Sequence, residues 1–164
     1  MRQQTEIKKR QKNTPKRLVL DSSKILIPTG IFSDRTLSFF ESLVKFLKEE
    51  LKLKYSEIGQ LTNRDERNIW TLYHRSLKKK GGAPLSIKPD SLGIPLSVLA
   101  DRSLSILEVM VYYLRHELGI PNQKIAELLD RSPKTISTCY QRSLRKKQAL
   151  SDDLNTREVR DSSG

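Results

Sequence analysis

The side chains of this sequence best placed to do chemistry are cations, and the chemistry open to them is the capture of a polyanion. Arg64, Arg75, Lys78, Lys79 and Lys80 crowd one segment, and Arg131, Arg142, Arg145, Lys146 and Lys147 crowd another in the same order. Guanidinium and ammonium groups suit phosphate oxygens, contacts that position a protein on a duplex without reading its bases. A third cluster, Lys8, Lys9, Arg10, Lys12, Lys16 and Arg17, reads as a basic arm of the kind that follows phosphates or enters a minor groove. Lysines that close a helix also complement its dipole, so these clusters have a structural explanation beside the functional one.

Other chemistries find little support. There is no Gly-rich phosphate loop, no paired carboxylate in a shared context and no nucleophile with a histidine partner, so an enzyme is not expected. His74 and His116 have no neighbouring ligand residues, and Cys139 is the one cysteine, so neither a metal or other cofactor nor a disulfide framework is expected. Cys139 flanks an apolar stripe and reads as a small buried hydrophobe in a reducing compartment. No apolar run approaches the ~18 residues of a membrane span. Met1-Arg2-Gln3 opens no secretory signal either, which fits a cytoplasmic, nucleoid-associated location.

Global charge points the same way as the clusters. The chain has 31 Lys+Arg against 19 Asp+Glu, a net charge of +12. Such an excess attracts polyanions by counterion release, whatever sequence they carry. At 164 residues, 36% apolar and 6% aromatic, two small helical cores are expected rather than one large one.

An internal repeat organises the chain. Residues 27–80 align with 94–147 without a gap at a constant offset of 67, with more than a third of the positions identical. Ile27/Ile94, Pro28/Pro95, Asp34-Arg35/Asp101-Arg102, Glu41/Glu108, Arg64/Arg131 and Tyr73/Tyr140 are among the matches. The expected divisions are a basic arm 1–26, repeat one 27–80, a Gly/Pro/Ser linker 81–93, repeat two 94–147 and a disordered polar tail 148–164.

Each repeat reads as all-α. Ser38-Phe39-Phe40-Glu41 and Ser105-Ile106-Leu107-Glu108 have the form of capping boxes, each opening a long amphipathic helix. A short helix follows, about 55–61 and 122–129, with Asn122 as its cap in repeat two. Next come a tight break at Asn63-Arg64 and Asp130-Arg131 and a last helix capped by Asp65 and Ser132. Pro133 suits the first helical position. Gly59 and Ala126 supply the small residue that lets the last helix cross the short one closely, and Ile69/Tyr73/Leu77 and Ile136/Tyr140/Leu144 form its buried stripe.

The segment Lys124-Ile-Ala-Glu-Leu-Leu-Asp-Arg-Ser-Pro-Lys-Thr-Ile136 resembles the helix-turn-helix of the promoter-reading carboxy-terminal domain of sigma factors and of LuxR-type regulators. Ile58–Ile69 is similar to it more loosely. The likeness covers about 20–25 residues per repeat, and Arg64 and Arg131 depart from it, standing where an apolar residue is usual; they are expected to turn out toward phosphate. The resemblance implies base-edge contacts from Arg67, Asn68, Trp70, Thr71 and His74 in repeat one and from Lys134, Thr135, Ser137, Thr138 and Gln141 in repeat two. Trp70 has a second reading as a cover for the small core. Glu66 stands unfavourably near phosphate but suits a cytosine amine, so the modules are expected to prefer different sequences.

The expectation is thus two tandem three-helix helix-turn-helix modules that bind double-stranded DNA sequence-specifically through the major groove, regulating transcription or organising DNA. The alternative is a helical interaction protein for RNA polymerase or another partner, with non-specific nucleic-acid affinity. Homodimerisation stays open.

Overall fold

The computed structural model describes residues 20–161. It is predominantly helical, with one two-stranded sheet. Repeat one contributes β1 (Leu26–Pro28), a 3-10 turn (Thr29–Ser33), α1 (Phe39–Glu49), α2 (Tyr55–Thr62) and α3 (Glu66–Lys80). Repeat two contributes β2 (Gly93–Pro95), α4 (Leu96–Leu99), α5 (Ile106–Tyr112) continued by a π-helical turn (Tyr113–Glu117), α6 (Asn122–Leu129) and α7 (Pro133–Asp161).

Local sequence accounts for most boundaries. Both capping boxes form: Ser38 Oγ accepts from the Glu41 amide while the Glu41 carboxylate accepts from the Ser38 amide, and Ser105 and Glu108 do the same. Each N-cap is worth about 1 kcal/mol. Asn63 (φ 54°) and Asp130 (φ 50°) end α2 and α6 in the left-handed conformation, the short polar side chains that tolerate it best. Asp65 caps α3 through the Arg67 amide, and the Ser132 hydroxyl accepts from the Thr135 amide at the start of α7. Asn122 is not a cap. Pro121 occupies that position in extended conformation, and Asn122 is the first helical residue with its Oδ1 buried and unpartnered.

The repeats do not fold side by side as separate modules. β1 pairs antiparallel with β2, with Ile27 opposite Ile94, Leu26 opposite Pro95 and Pro28 opposite Gly93. Ile27 and Ile94 are equivalent residues of the two repeats, so an approximate two-fold axis passes between them. Flanking bonds obey the same axis: the Leu96 amide donates to the Ile25 carbonyl and the Thr29 amide to the Leu92 carbonyl, each at 2.8 Å. A three-residue ladder is marginal alone. It is held because Ile27 and Ile94 are fully buried, each worth about 2 kcal/mol.

Packing is reciprocal about this axis. The 3-10 turn of repeat one lies against α6 of repeat two, and its equivalent α4 lies against α2 of repeat one. α1 touches α5 across the middle. The buried apolar residues of both repeats consequently form one connected core, from Ile27, Phe32, Leu43 and Ile69 through Ile94, Met110, Ile125 and Ile136. The two-core expectation gives way to a single interleaved core, because the face each short helix must bury is covered by the other repeat.

Two expected boundaries move. Part of the 81–93 linker is structure: Leu85 is buried, the Gly30 amide donates to Ser91 Oγ, and the Leu92 amide donates to Thr29 Oγ1. A Cβ at Gly30 would stand 2.7 Å from the Lys88 amide nitrogen, so glycine permits this close approach. The tail is not disordered through 161, since α7 continues without a break to Asp161. No Gly or Pro interrupts residues 134–161, and Gln148, Ala149, Leu150 and Arg157 favour a helix. Of the apolar arm residues, Ile25 packs on the core, while Leu20 and Leu26 are exposed. The basic arm residues Lys8 to Arg17 lie outside the described residues.

Candidate nucleic-acid interface

Each repeat presents a short helix, a left-handed turn and a second helix whose amino end is capped and open. The crossing is close: a Cβ on Gly59 would lie 2.7 Å from the Arg64 carbonyl oxygen. The Arg64 amide donates to the Gly59 carbonyl at 2.8 Å, and the Arg131 amide donates to the Ala126 carbonyl at 2.9 Å. These bonds lock the turn that aims α3 and the first turns of α7.

The base-contact candidates fall on the outer face of those helices. Ile69 and Ile136 are fully buried, and around them Arg67, Asn68 and Trp70, with Lys134, Ser137, Thr138 and Gln141, are exposed. Thr71, His74 and Thr135 are half-buried. Trp70 is 50% exposed, too open to be a core cover. Its indole stacks on the His74 ring, centroids 3.9 Å apart, and His74 Nδ1 lies 2.9 Å from the Trp70 carbonyl oxygen. An open cleft of about 630 Å³ runs beside this end of α3, between Tyr55 and Trp70. Thr71 and Thr138 each donate one turn back, to the Arg67 and Lys134 carbonyls, leaving their methyl groups and a lone pair for a ligand.

The phosphate candidates divide. Arg75, Lys78, Arg142 and Arg145 are exposed on the flanks of α3 and α7. Lys79 instead donates to Glu41 at 2.7 Å, Lys146 to Glu108 at 2.7 Å, Lys80 pairs with Asp34, and Lys147 pairs with Asp101 at 3.5 Å. The doubled lysines thus match doubled acids, and much of their charge is compensated within the chain. Burial alone would raise the Asp34 carboxyl, but hydrogen bonds from Lys80 and Thr36 outweigh it and hold the group at about 2. The Glu41 and Glu108 carboxyls are held low in the same way, burial being outweighed by Lys79 and Lys146 and by the capping amides.

Arg64 and Arg131 are not turned fully outward. Arg64 lies over the Phe40 ring at 5.3 Å and Arg131 over Phe39 at 4.9 Å, the second contact reaching across to repeat one. Stacking occupies only the face of a guanidinium. One edge nitrogen of each also donates to the turn, Arg131 Nη1 to the Asp130 carbonyl at 2.9 Å and Arg64 Nη1 to the Asn63 carbonyl at 3.4 Å, and the remaining edge is left for an anion. Two arginines that composition alone did not single out join them. Arg35 of repeat one donates to the Asp130 carbonyl and carboxylate of repeat two at 2.8 and 3.3 Å. Its equivalent Arg102 stands beside Arg64, where Asn63 replaces Asp130, and no carboxylate pairs with it among the described residues. Burial, then Arg102, pushes the Arg64 guanidinium below its ordinary value. The invariance of Asp34-Arg35 and Asp101-Arg102 between repeats was the available signal.

Cys139 is buried, and burial pushes its thiol up. Among the described residues no His, Cys, Asp and Glu cluster could hold a metal ion, and no helix is long and apolar enough to cross a membrane. The chain was compared with protein-family models, with curated proteins and with solved structures, and none of them matches it.

Proposed function

We propose that the protein binds double-stranded DNA sequence-specifically, with α2–α3 and α6–α7 acting as helix-turn-helix units similar to those of sigma-factor carboxy-terminal domains and LuxR-type regulators. The observation that carries this reading is a doubled one. At the open amino ends of α3 and α7, a fully buried isoleucine is surrounded by exposed Arg67, Asn68, Lys134, Ser137 and Gln141. Arg and Lys suit guanine edges and Asn and Gln suit adenine edges in the major groove. Arg75, Lys78, Arg142 and Arg145, exposed on the flanks of those helices, suit backbone phosphates. A net charge of +12 supplies the long-range attraction. The role that follows is transcription regulation or DNA organisation at the nucleoid in the cytoplasm.

Charge reversal tests it. In a gel shift with duplex DNA, Lys134→Glu with Arg142→Glu should weaken binding at least about tenfold, the loss of one or two charge-assisted contacts. Unchanged affinity removes α7 as a reading helix.

A second reading, an interaction protein for RNA polymerase or another partner, draws on one observation. Leu150, Leu154 and Val159 stand exposed on the outer half of α7. Truncation after Lys147 separates the two, because the DNA reading keeps duplex affinity and the interaction reading loses its surface.

A further inference from the structure

We infer that the single chain acts as a fused two-fold dimer whose DNA site is an imperfect inverted repeat, not a direct one. The inference rests on the DNA-binding reading above and adds the geometry of the site to it. Direct repetition in sequence gives no preference, since a flexible connector allows either orientation of the two units. Here the connector does not set the orientation. The β1–β2 register does, because Ile27 faces its own equivalent Ile94.

The same operation relates the backbone bonds beside that ladder and the helix contacts leading to the reading helices, although side-chain links such as Arg35–Asp130 and Arg131–Phe39 are not repeated. Leu96–Ile25 and Thr29–Leu92 are exchanged by it, as are the packing of α4 on α2 and of the 29–33 turn on α6. The caps of α3 and α7 and the left-handed residues Asn63 and Asp130 follow in the same order from the axis. α3 and α7 are thereby dyad mates. A duplex has dyads of its own perpendicular to its axis, and two helices related by one of them meet opposite strands with opposite polarity. That is the signature of an inverted repeat.

The two arms will not be identical. Of the candidate reading positions only Thr71/Thr138 agree, whereas Arg67, Asn68 and Trp70 correspond to Lys134, Thr135 and Ser137. The arms differ in phosphate grip as well. Among the described residues no carboxylate pairs with Arg102 beside Arg64, while Asp130 pairs with Arg35 beside Arg131. A symmetric homodimer is restricted to equal arms; a fused pair is not.

The experiment is selection of bound duplexes from a random pool by the full chain, followed by affinities for synthetic duplexes with the second arm inverted, direct or scrambled. The expected result is two unlike arms in inverted orientation. Flipping the second arm into direct orientation should weaken binding about a hundredfold, the loss of simultaneous engagement. Arg67→Ala with Asn68→Ala should relax selection in one arm only. Enrichment of a direct repeat or of a single arm overturns the inference and leaves the DNA-binding reading standing. A pool that shows neither enrichment nor retention overturns that reading, and the inference with it.

Discussion

Where α1 meets α3, and where the helix through Tyr112 and His116 meets α7, two of three equivalent positions hold different side chains in the two repeats, and the third is tyrosine in both. In repeat one Lys45 is fully buried and donates to Glu49 at 2.6 Å, and the Tyr73 hydroxyl lies 3.3 Å from the same carboxylate oxygen. In repeat two Tyr112 stacks on His116 with ring centroids 4.6 Å apart, and His116 Nδ1 lies 3.3 Å from the Tyr140 hydroxyl. Lys45, Glu49 and Tyr73 occupy the positions of Tyr112, His116 and Tyr140. A charged network and an aromatic one thus support the same helix crossing. The difference teaches that a duplicated scaffold can exchange a buried charged pair for a more exposed aromatic one around a shared tyrosine, provided the caps, turns and outer ion pairs are held.

Several expected outcomes would break or sharpen that comparison. The largest concerns the interleaving itself. A fragment ending at residue 86 leaves α2 without α4 and β1 without β2, so it should show no cooperative unfolding transition by circular dichroism, whereas an independent module would show one. Next, Glu49→Ala strands the buried Lys45 ammonium and should cost about 3–5 kcal/mol in urea denaturation, the range for breaking a buried pair. His116→Ala removes no buried charge and should cost clearly less. If the two losses are equal, the networks do not differ as described.

Gly59 and Ala126 give a smaller contrast. Gly59→Ala puts a methyl 2.7 Å from a backbone carbonyl and should cost about 1–3 kcal/mol. Ala126→Gly should cost about 1 kcal/mol through helix propensity. The smallest effect is shared by both repeats. Asp34, Asp101, Glu41 and Glu108 all have carboxyls held below their ordinary values. In acid the unfolded chain therefore binds more protons than the folded one. Stability should be steady above about pH 4.5 and fall as pH drops toward 2, where Asp34 protonates. Asp34→Asn should flatten the lower end of that decline in an acid titration of thermal stability.

Much of this was legible in the sequence. The 67-residue offset, both capping boxes, the Asn63 and Asp130 turns and the Asp65 and Ser132 caps follow from side-chain types with strong local preferences. The interleaving was not legible, because Leu26–Pro28 and Gly93–Pro95 are each three residues long, and so short a strand leaves no alternation to read. Residues 81–93 have the composition of a linker even where Leu85 and Leu92 are tied down. The pairing of Lys79, Lys80, Lys146 and Lys147 with Glu41, Asp34, Glu108 and Asp101 depends on the third dimension, although the joint duplication of bases and acids was visible. The exposed Trp70 could not be told from a core residue by spacing, since it neighbours the buried Ile69.

The central claim is that two basic, dyad-related helices grip a duplex. Fluorescence anisotropy of the full chain on a labelled duplex, titrated across salt concentrations, tests it most directly. The logarithm of the association constant should fall linearly with the logarithm of salt, by roughly 0.9 for each phosphate contacted. Removing Arg75 or Arg142 should each reduce that slope by about one. A flat salt dependence, or slopes unmoved by both substitutions, would contradict the account.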